Sequence, residues 1–125
     1  MDGTDISPSE WQVMNVVWSD QPVTARDIIQ KVAKQNDWSS ATVRTFLHRL
    51  VKKGALSTEQ DGNRYLYRAA IPKQKSVKQA SHSFLDSVFG GEPAPLITHF
   101  VKTGKLSPEE IRQLRKLLND KEDKR

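Results

Sequence analysis

The sequence predicts a mainly α fold with one small β-hairpin, followed by a further helical region, and three observations predict it. One helix-start pattern occurs four times, the apolar period switches once from about 3.6 residues to 2, and the Ile71-Pro72 step precedes a stretch of different character. A chain of 125 residues can hold one ordinary domain, or a small domain with an extension, but not two full cores.

The repeated pattern is an N-cap Ser or Thr whose side-chain oxygen can accept from an orphan backbone N–H. Apolar residues just before it and four after it can clasp across the first turn. Ile6-Ser7 with Trp11, Val23-Thr24 with Ile28, Trp38-Ser39 with Val43, and Leu106-Ser107 with Ile111 all fit. Three of the four also carry an acid at the third helical position (Glu10, Asp27, Glu110), and Pro8 and Pro108 sit where a helix tolerates proline best.

The first helix is expected from Pro8 to Ser19, with Trp11, Met14 and Trp18 on one side and Val17 beside them. The second, Ala25 to Lys34, should bury Ile28, Ile29 and Val32. The third, Ser40 to Lys53, places Val43, Phe46, Leu47, Leu50 and Val51 at the spacing of a single helix face, and Gly54 can supply the left-handed stop. Alternation then takes over. Residues Ala55 to Glu59, the Asp61-Gly62-Asn63 turn and Arg64 to Arg68 read as a β-hairpin, with Tyr65 and Tyr67 on one face of its second strand and Arg64, Leu66 and Arg68 on the other. Three helices followed by a hairpin is the order of a winged helix-turn-helix.

Beyond Pro72 the pattern is helical again. Val77, Ala80, Phe84, Leu85 and Val88 keep helical spacing over 73–89, and Gly90-Gly91 with Pro93 and Pro95 are expected to break it. Leu96, Ile97, Phe100 and Val101 mark a short helix ending at Gly104, and Ile111, Leu114, Leu117 and Leu118 mark a last one from Pro108 to Asp120, with a charged KEDKR tail expected to fray. These helices are too short and sparse to enclose a core alone. A second copy of the chain, covering these stripes symmetrically, is the simplest remedy; packing back on the first domain is the alternative. The expected division is therefore a winged-helix domain over residues 1–72, whose partner the free face of the third helix points to, and a helical dimerisation domain over 73–125.

The third helix also has a second face. At about 100° per residue, Ala41, Thr45, His48 and Lys52 fall opposite the apolar stripe, flanked by Thr42, Arg44 and Arg49, and this face carries no acid. The net charge of +5 favours an anionic partner without choosing one, but the excess is local: residues 41–78 hold nine Lys or Arg against Glu59 and Asp61 alone. The major groove of double-stranded DNA admits one helix and presents base edges that Arg, Thr and Ala can contact. Arg44 and Arg49 can offer paired donors, Ser39, Ser40 and the helix N-terminus can hold phosphate, and Arg64 and Arg68 on the hairpin can add backbone contacts. Lys52 and Lys53 read as general electrostatic contributors, and a merely solvated basic face is the plain alternative.

Other classes find little support. With no cysteine, disulfides, thiolate metal sites and cysteine nucleophiles are excluded. His48 lacks a ligand-spaced neighbour, and His82 and His99 lie far from it with no phosphate loop or catalytic set in view, so neither metal, cofactor nor enzyme activity is expected. No apolar run approaches a membrane span and the acidic N-terminus does not resemble a signal peptide; the expected location is the cytoplasm, without membrane insertion. A winged-helix protein-interaction module that does not bind DNA remains the rival within the fold.

Ser7-Pro8-x-Glu10-Trp11-x-Val13-Met14 with Val17-Trp18, Thr24-Ala25-x-Asp27-Ile28, and Trp38-Ser39-x-x-Thr42-Val43-Arg44-Thr45 with Leu50-x-Lys52-Lys53-Gly54 closely resemble the bacterial penicillinase and methicillin-resistance repressor family (BlaI/MecI/CopY). The resemblance is dense over the first 70 residues and looser beyond, where Leu106-Ser107-x-x-Glu110-Ile111-x-x-Leu114 still matches. It implies a homodimeric repressor whose winged helices bind an inverted-repeat operator and whose C-terminal helices hold the dimer. Copper-responsive members carry paired Cys-x-Cys motifs, which this chain cannot build. β-Lactam-controlled members are cut by a membrane sensor protease at an Asn-Phe bond; the corresponding place here is His99-Phe100, where histidine replaces the asparagine.

Overall fold

The computed structural model describes residues 5–124. Two compact units divide the chain, Met1–Ala80 and Ser81–Arg125.

In the first unit, α1 (Pro8–Asp20), α2 (Ala25–Asn36) and α3 (Ser40–Lys53) precede a hairpin of β2 (Leu56–Asp61) and β3 (Arg64–Ala69). All three N-caps form as the sequence predicts: Ser7 accepts from the Glu10 N–H at 3.2 Å, Thr24 from Asp27 at 3.2 Å and Ser39 from Thr42 at 3.1 Å. Glu10 completes a capping box by accepting from the Ser7 N–H. α2 runs two residues past the expected Lys34 because Asp37 takes the left-handed conformation (φ 56°) and ends it there. α3 ends at Gly54 (φ 85°), a conformation in which a Cβ would be strained.

A third strand, β1 (Val23–Thr24), is absent from the sequence reading; it pairs antiparallel with β3, giving the order β1-β3-β2. Two residues are too few to carry an alternating pattern, and the pairing is decided by β3 lying alongside. Gly62 (φ 65°) makes the tight turn between Asp61 and Arg64, which pair across the ladder.

The core lies where the three helices meet the sheet. Val13, Met14 and Val17 of α1, Ile28 and Val32 of α2, and Val43, Leu47 and Leu50 of α3 are all at most 2 % exposed, with Val23, Ala55 and Leu56 beside them. Each large side chain so buried contributes roughly 1.5–3 kcal/mol. Three expectations are corrected here. On α1 the buried row is Glu10, Val13, Met14 and Val17, and the tryptophans flank it: Trp11 and Trp18 are half-buried against one another, with ring centroids 5.5 Å apart. On α2, Ile29 is half-buried rather than buried. On α3, Phe46 is half-buried against the edge of Trp38, and Val51 is 38 % exposed. A stripe of five apolar residues is wider than the contact that α1, α2 and the sheet offer to α3, so its margins stay open.

α4 (Lys73–Phe89) begins in the first unit, where its Ser76 is 3 % exposed, Lys73 sits over the Trp18 ring and the Trp18 indole N–H donates to the Ile71 carbonyl at 3.0 Å. The second unit continues it into α5 (Pro93–Lys102) and α6 (Pro108–Asp123). α4 ends at Phe89 before Gly90 and Gly91, as expected, and α5 starts at Pro93 rather than at Leu96, because the first turn needs no intrahelical donor from Pro93 or Pro95. α6 starts on the expected Ser107–Glu110 capping box and runs three residues past the expected Asp120, to Asp123, while Arg125 lies outside the described residues. Neither α5 nor α6 has a buried residue.

Candidate nucleic-acid interface

The three apolar anchors of α3, Val43, Leu47 and Leu50, fix its rotation, and so decide which side chains stay outside. Ser40, Ala41, Arg44, Thr45, His48, Arg49 and Lys52 are all exposed. Among the described residues no carboxylate pairs with Arg44, Arg49 or Lys52. At the helix start, Ser39 and Thr42 bond to each other at 3.0 Å, and Thr42 is half-buried. The Thr45 hydroxyl donates to the Ala41 carbonyl one turn back at 3.1 Å, and the residue is exposed.

Lys53 behaves differently from its neighbour. Its ammonium donates to the Glu10 carboxylate at 2.5 Å and to the Asp5 carbonyl at 2.8 Å, tying the end of α3 to the start of α1. Glu10 is 1 % exposed. Burial alone would raise its carboxyl, but the hydrogen bonds from Lys53 and Ser7 and the charge of Lys53 outweigh that and hold it below its ordinary value. Lys53 is therefore a structural ion-pair partner and not the general electrostatic contributor the sequence suggests. Lys53 and the Ser7 N–H both donate to the same carboxylate oxygen, Oε1, while Oε2 is buried without a hydrogen-bond partner, and a capping acid gives no local sign of a cation 43 residues away.

The hairpin presents two unlike faces. Its register puts Thr58 opposite Tyr67 and Gln60 opposite Tyr65, so these share the face that continues to buried Leu56. Arg64 and Arg68 lie on the opposite face, where Arg64 pairs with Asp61 at 3.1 Å and Arg68 with Glu59 at 3.7 Å. All four of those side chains are at least half exposed, so the pairs are weak and exchangeable. Between α3 and the first face runs a groove of about 300 Å³, lined by Arg44, Leu47, His48 and Val51 from the helix and Thr58, Tyr65 and Tyr67 from the hairpin. The Arg64 and Arg68 side chains do not line it.

The residues expected at a dimer seam form three open stripes. Val77, Phe84 and Val88 on α4, Ile97, Phe100 and Val101 on α5, and Ile111, Leu114, Leu117 and Leu118 on α6 are between 38 % and 63 % exposed, with Leu85 and Leu96 half-buried. His99 and Phe100 lie inside α5, where the His99 carbonyl accepts from the Thr103 N–H at 3.0 Å. Among the described residues no group of three or more His, Asp or Glu is placed to hold a metal ion, and no helix is long and apolar enough to cross a membrane.

Comparison with known proteins gives a consistent result. The family described as penicillinase repressor matches residues 6–120. The methicillin resistance regulatory protein MecI of Staphylococcus aureus is 35 % identical over 117 residues, 94 % of this chain and 95 % of that one. The penicillinase repressor of Bacillus licheniformis is 32 % identical over 120 residues, 96 % of this chain and 94 % of that one. Among solved structures, the Bacillus licheniformis BlaI monomeric form in complex with the blaP half-operator is 34 % identical over 56 % of this chain and 85 % of that one, with a TM-score of 0.52. A Staphylococcus aureus MepR variant bound to an oligodeoxyribonucleotide, at 19 % identity and a TM-score of 0.51, shares the winged-helix fold.

Proposed function

The chain belongs to the penicillinase repressor family, and from that premise we propose that it is a transcriptional repressor that binds double-stranded DNA through α3 and the hairpin, acting in the cytoplasm as a homodimer on an inverted-repeat operator. The observation that carries this reading is the exposed face of α3, which holds Arg44, Arg49 and Lys52 with no carboxylate partner among the described residues. A solvated surface normally pairs or mixes its charges, whereas a face that meets phosphates and base edges keeps its cations free. Arg44 and Thr45 lie mid-face and would read bases, with Ala41, Thr42, His48 and Arg49 around them. Ser39 and Ser40 at the helix start would hold phosphate, Lys52 would add charge, and Arg64 and Arg68 would exchange Asp61 and Glu59 for phosphates of the flanking backbone.

Residues 1–72 supply the DNA-binding part and 73–125 the dimerisation part in this reading. It is supported by the contrast between a filled core before α4 and the open apolar stripes of α4 to α6. Release by a membrane sensor protease at His99-Phe100 would separate α6 from the rest of the chain and so weaken the dimer. The bond lies within a helix, so α5 must unwind locally before a protease can take it in extended form.

Binding to a duplex selected from a random pool by the wild-type protein, measured against scrambled DNA over a salt series, tests the reading. Steep loss with salt is expected, and Arg44→Ala should lower the preference for the selected duplex. Binding that is absent, or indifferent to salt, would favour a protein-interaction module. Co-expression with the cognate sensor should give a fragment ending at residue 99 under inducing conditions; an intact chain would rule out the cleavage.

A further inference from the structure

We infer that the groove between α3 and the hairpin seats one sugar-phosphate strand of the DNA, with Tyr65 as a backbone-contacting residue: its hydroxyl donates to a phosphate oxygen while its ring lies against the adjoining deoxyribose. The inference rests on the DNA-binding reading above and assigns part of that interface to a side chain that charge alone does not point to.

Three features of the groove fit this occupant. Its polar lining consists of donors suited to an anion: the Arg44 guanidinium, an N–H of the His48 imidazole in either tautomer, and the hydroxyls of Thr58, Tyr65 and Tyr67, with no carboxylate among the lining residues. Its apolar lining, Leu47, Val51 and the two tyrosine rings, suits a deoxyribose, which a bare ion would not need. Finally, Tyr65 is 55 % exposed and Val51 38 %, although both lie on faces that continue into the core, so the fold leaves this apolar surface open beside the cations of α3. The acids of the hairpin are sorted away from it: Glu59 and Asp61 stand on the opposite face with Arg64 and Arg68.

The test is Tyr65→Phe in the full chain, with binding measured by fluorescence anisotropy on a random-sequence duplex and on the duplex selected by the wild-type protein. Phosphate contacts carry no sequence information, so affinity should fall about 3- to 10-fold on both duplexes, the range expected for the net contribution of one solvent-accessible hydrogen bond. The salt slope should stay that of the wild type, because no charge is removed; Arg68→Ala, in contrast, should lower the slope by about 1. Tyr65→Ala, which also removes the ring, should lose more than Tyr65→Phe. Tyr65→Phe binding both duplexes as the wild type does would overturn the inference, as would a loss confined to the selected duplex, which would mark a base contact. Wild-type protein that binds neither duplex would instead overturn the DNA-binding reading itself.

Discussion

Helices α1 and α6 open on the same device. In each a serine caps the helix, a proline follows it and a glutamate at the third position closes the box, through Ser7, Pro8 and Glu10 in one and Ser107, Pro108 and Glu110 in the other. Yet α1 buries Glu10, Val13, Met14 and Val17, while α6 buries nothing, and its Leu117 and Leu118 are 62 % and 63 % exposed. The difference shows that capping decides where a helix begins and has no bearing on whether its apolar side is covered. Coverage requires other elements, which the first unit supplies from α2, α3 and the sheet, and which α6 lacks among the described residues.

The sharpest way to test this contrast is to remove leucines from each region. Leu50→Ala in α3 should cost about 2–5 kcal/mol of unfolding free energy, as deletions at fully buried sites do, read by urea denaturation. Under the dimer reading, Leu114→Asp with Leu117→Asp should leave the first unit folded but raise the concentration for half-saturation of the operator about 100-fold, equivalent to about 2.7 kcal/mol. A sedimentation profile shifted to monomer should accompany it. A double variant that stays dimeric would show that the seam lies elsewhere.

Lys53→Ala probes the link between the end of α3 and the start of α1. It leaves the Glu10 carboxylate buried without its cation, at a cost of about 2–3 kcal/mol, less than for a fully buried pair because the Lys53 side chain is 32 % exposed. The same pair sets an acid limit. Glu10 titrates below its ordinary value of 4.5 in the folded chain, so its contribution is complete above that pH and is lost as the pH falls through the lowered value. Glu10→Gln should remove that part of the acid sensitivity in a pH series of melting temperatures. The smallest effect is expected from the caps. Ser7→Ala should cost about 1 kcal/mol of global stability, whereas Ser107→Ala should change the melting of the first unit by less than about 0.5 kcal/mol, because α6 has no buried residue.

The features written into consecutive residues were legible in advance: four helix starts, the Gly54 stop, the Gly62 turn and the acid-free face of α3 all depend on spacing within one element. The buried acid and the hairpin's role were not. Glu10 reads as a capping residue in any local window, and only the return of α3, 43 residues later in the chain, brings Lys53 to it. Arg64 and Arg68 attract attention through their charge, while Tyr65 gains its place beside Arg44 from the way the hairpin folds onto α3. Val51 belongs to the apolar stripe by periodicity and is left open by the limited width of what packs against it.

The sequence by itself determined where the helices and the turn lie and which face of α3 is cationic, because backbone capping, glycine conformation and helical period act over a few residues. Only the tertiary structure decided which apolar residues are covered, which cation is bound to a buried carboxylate and which face of the hairpin meets α3. Those outcomes depend on contacts between segments far apart in the chain, whose geometry no local pattern records.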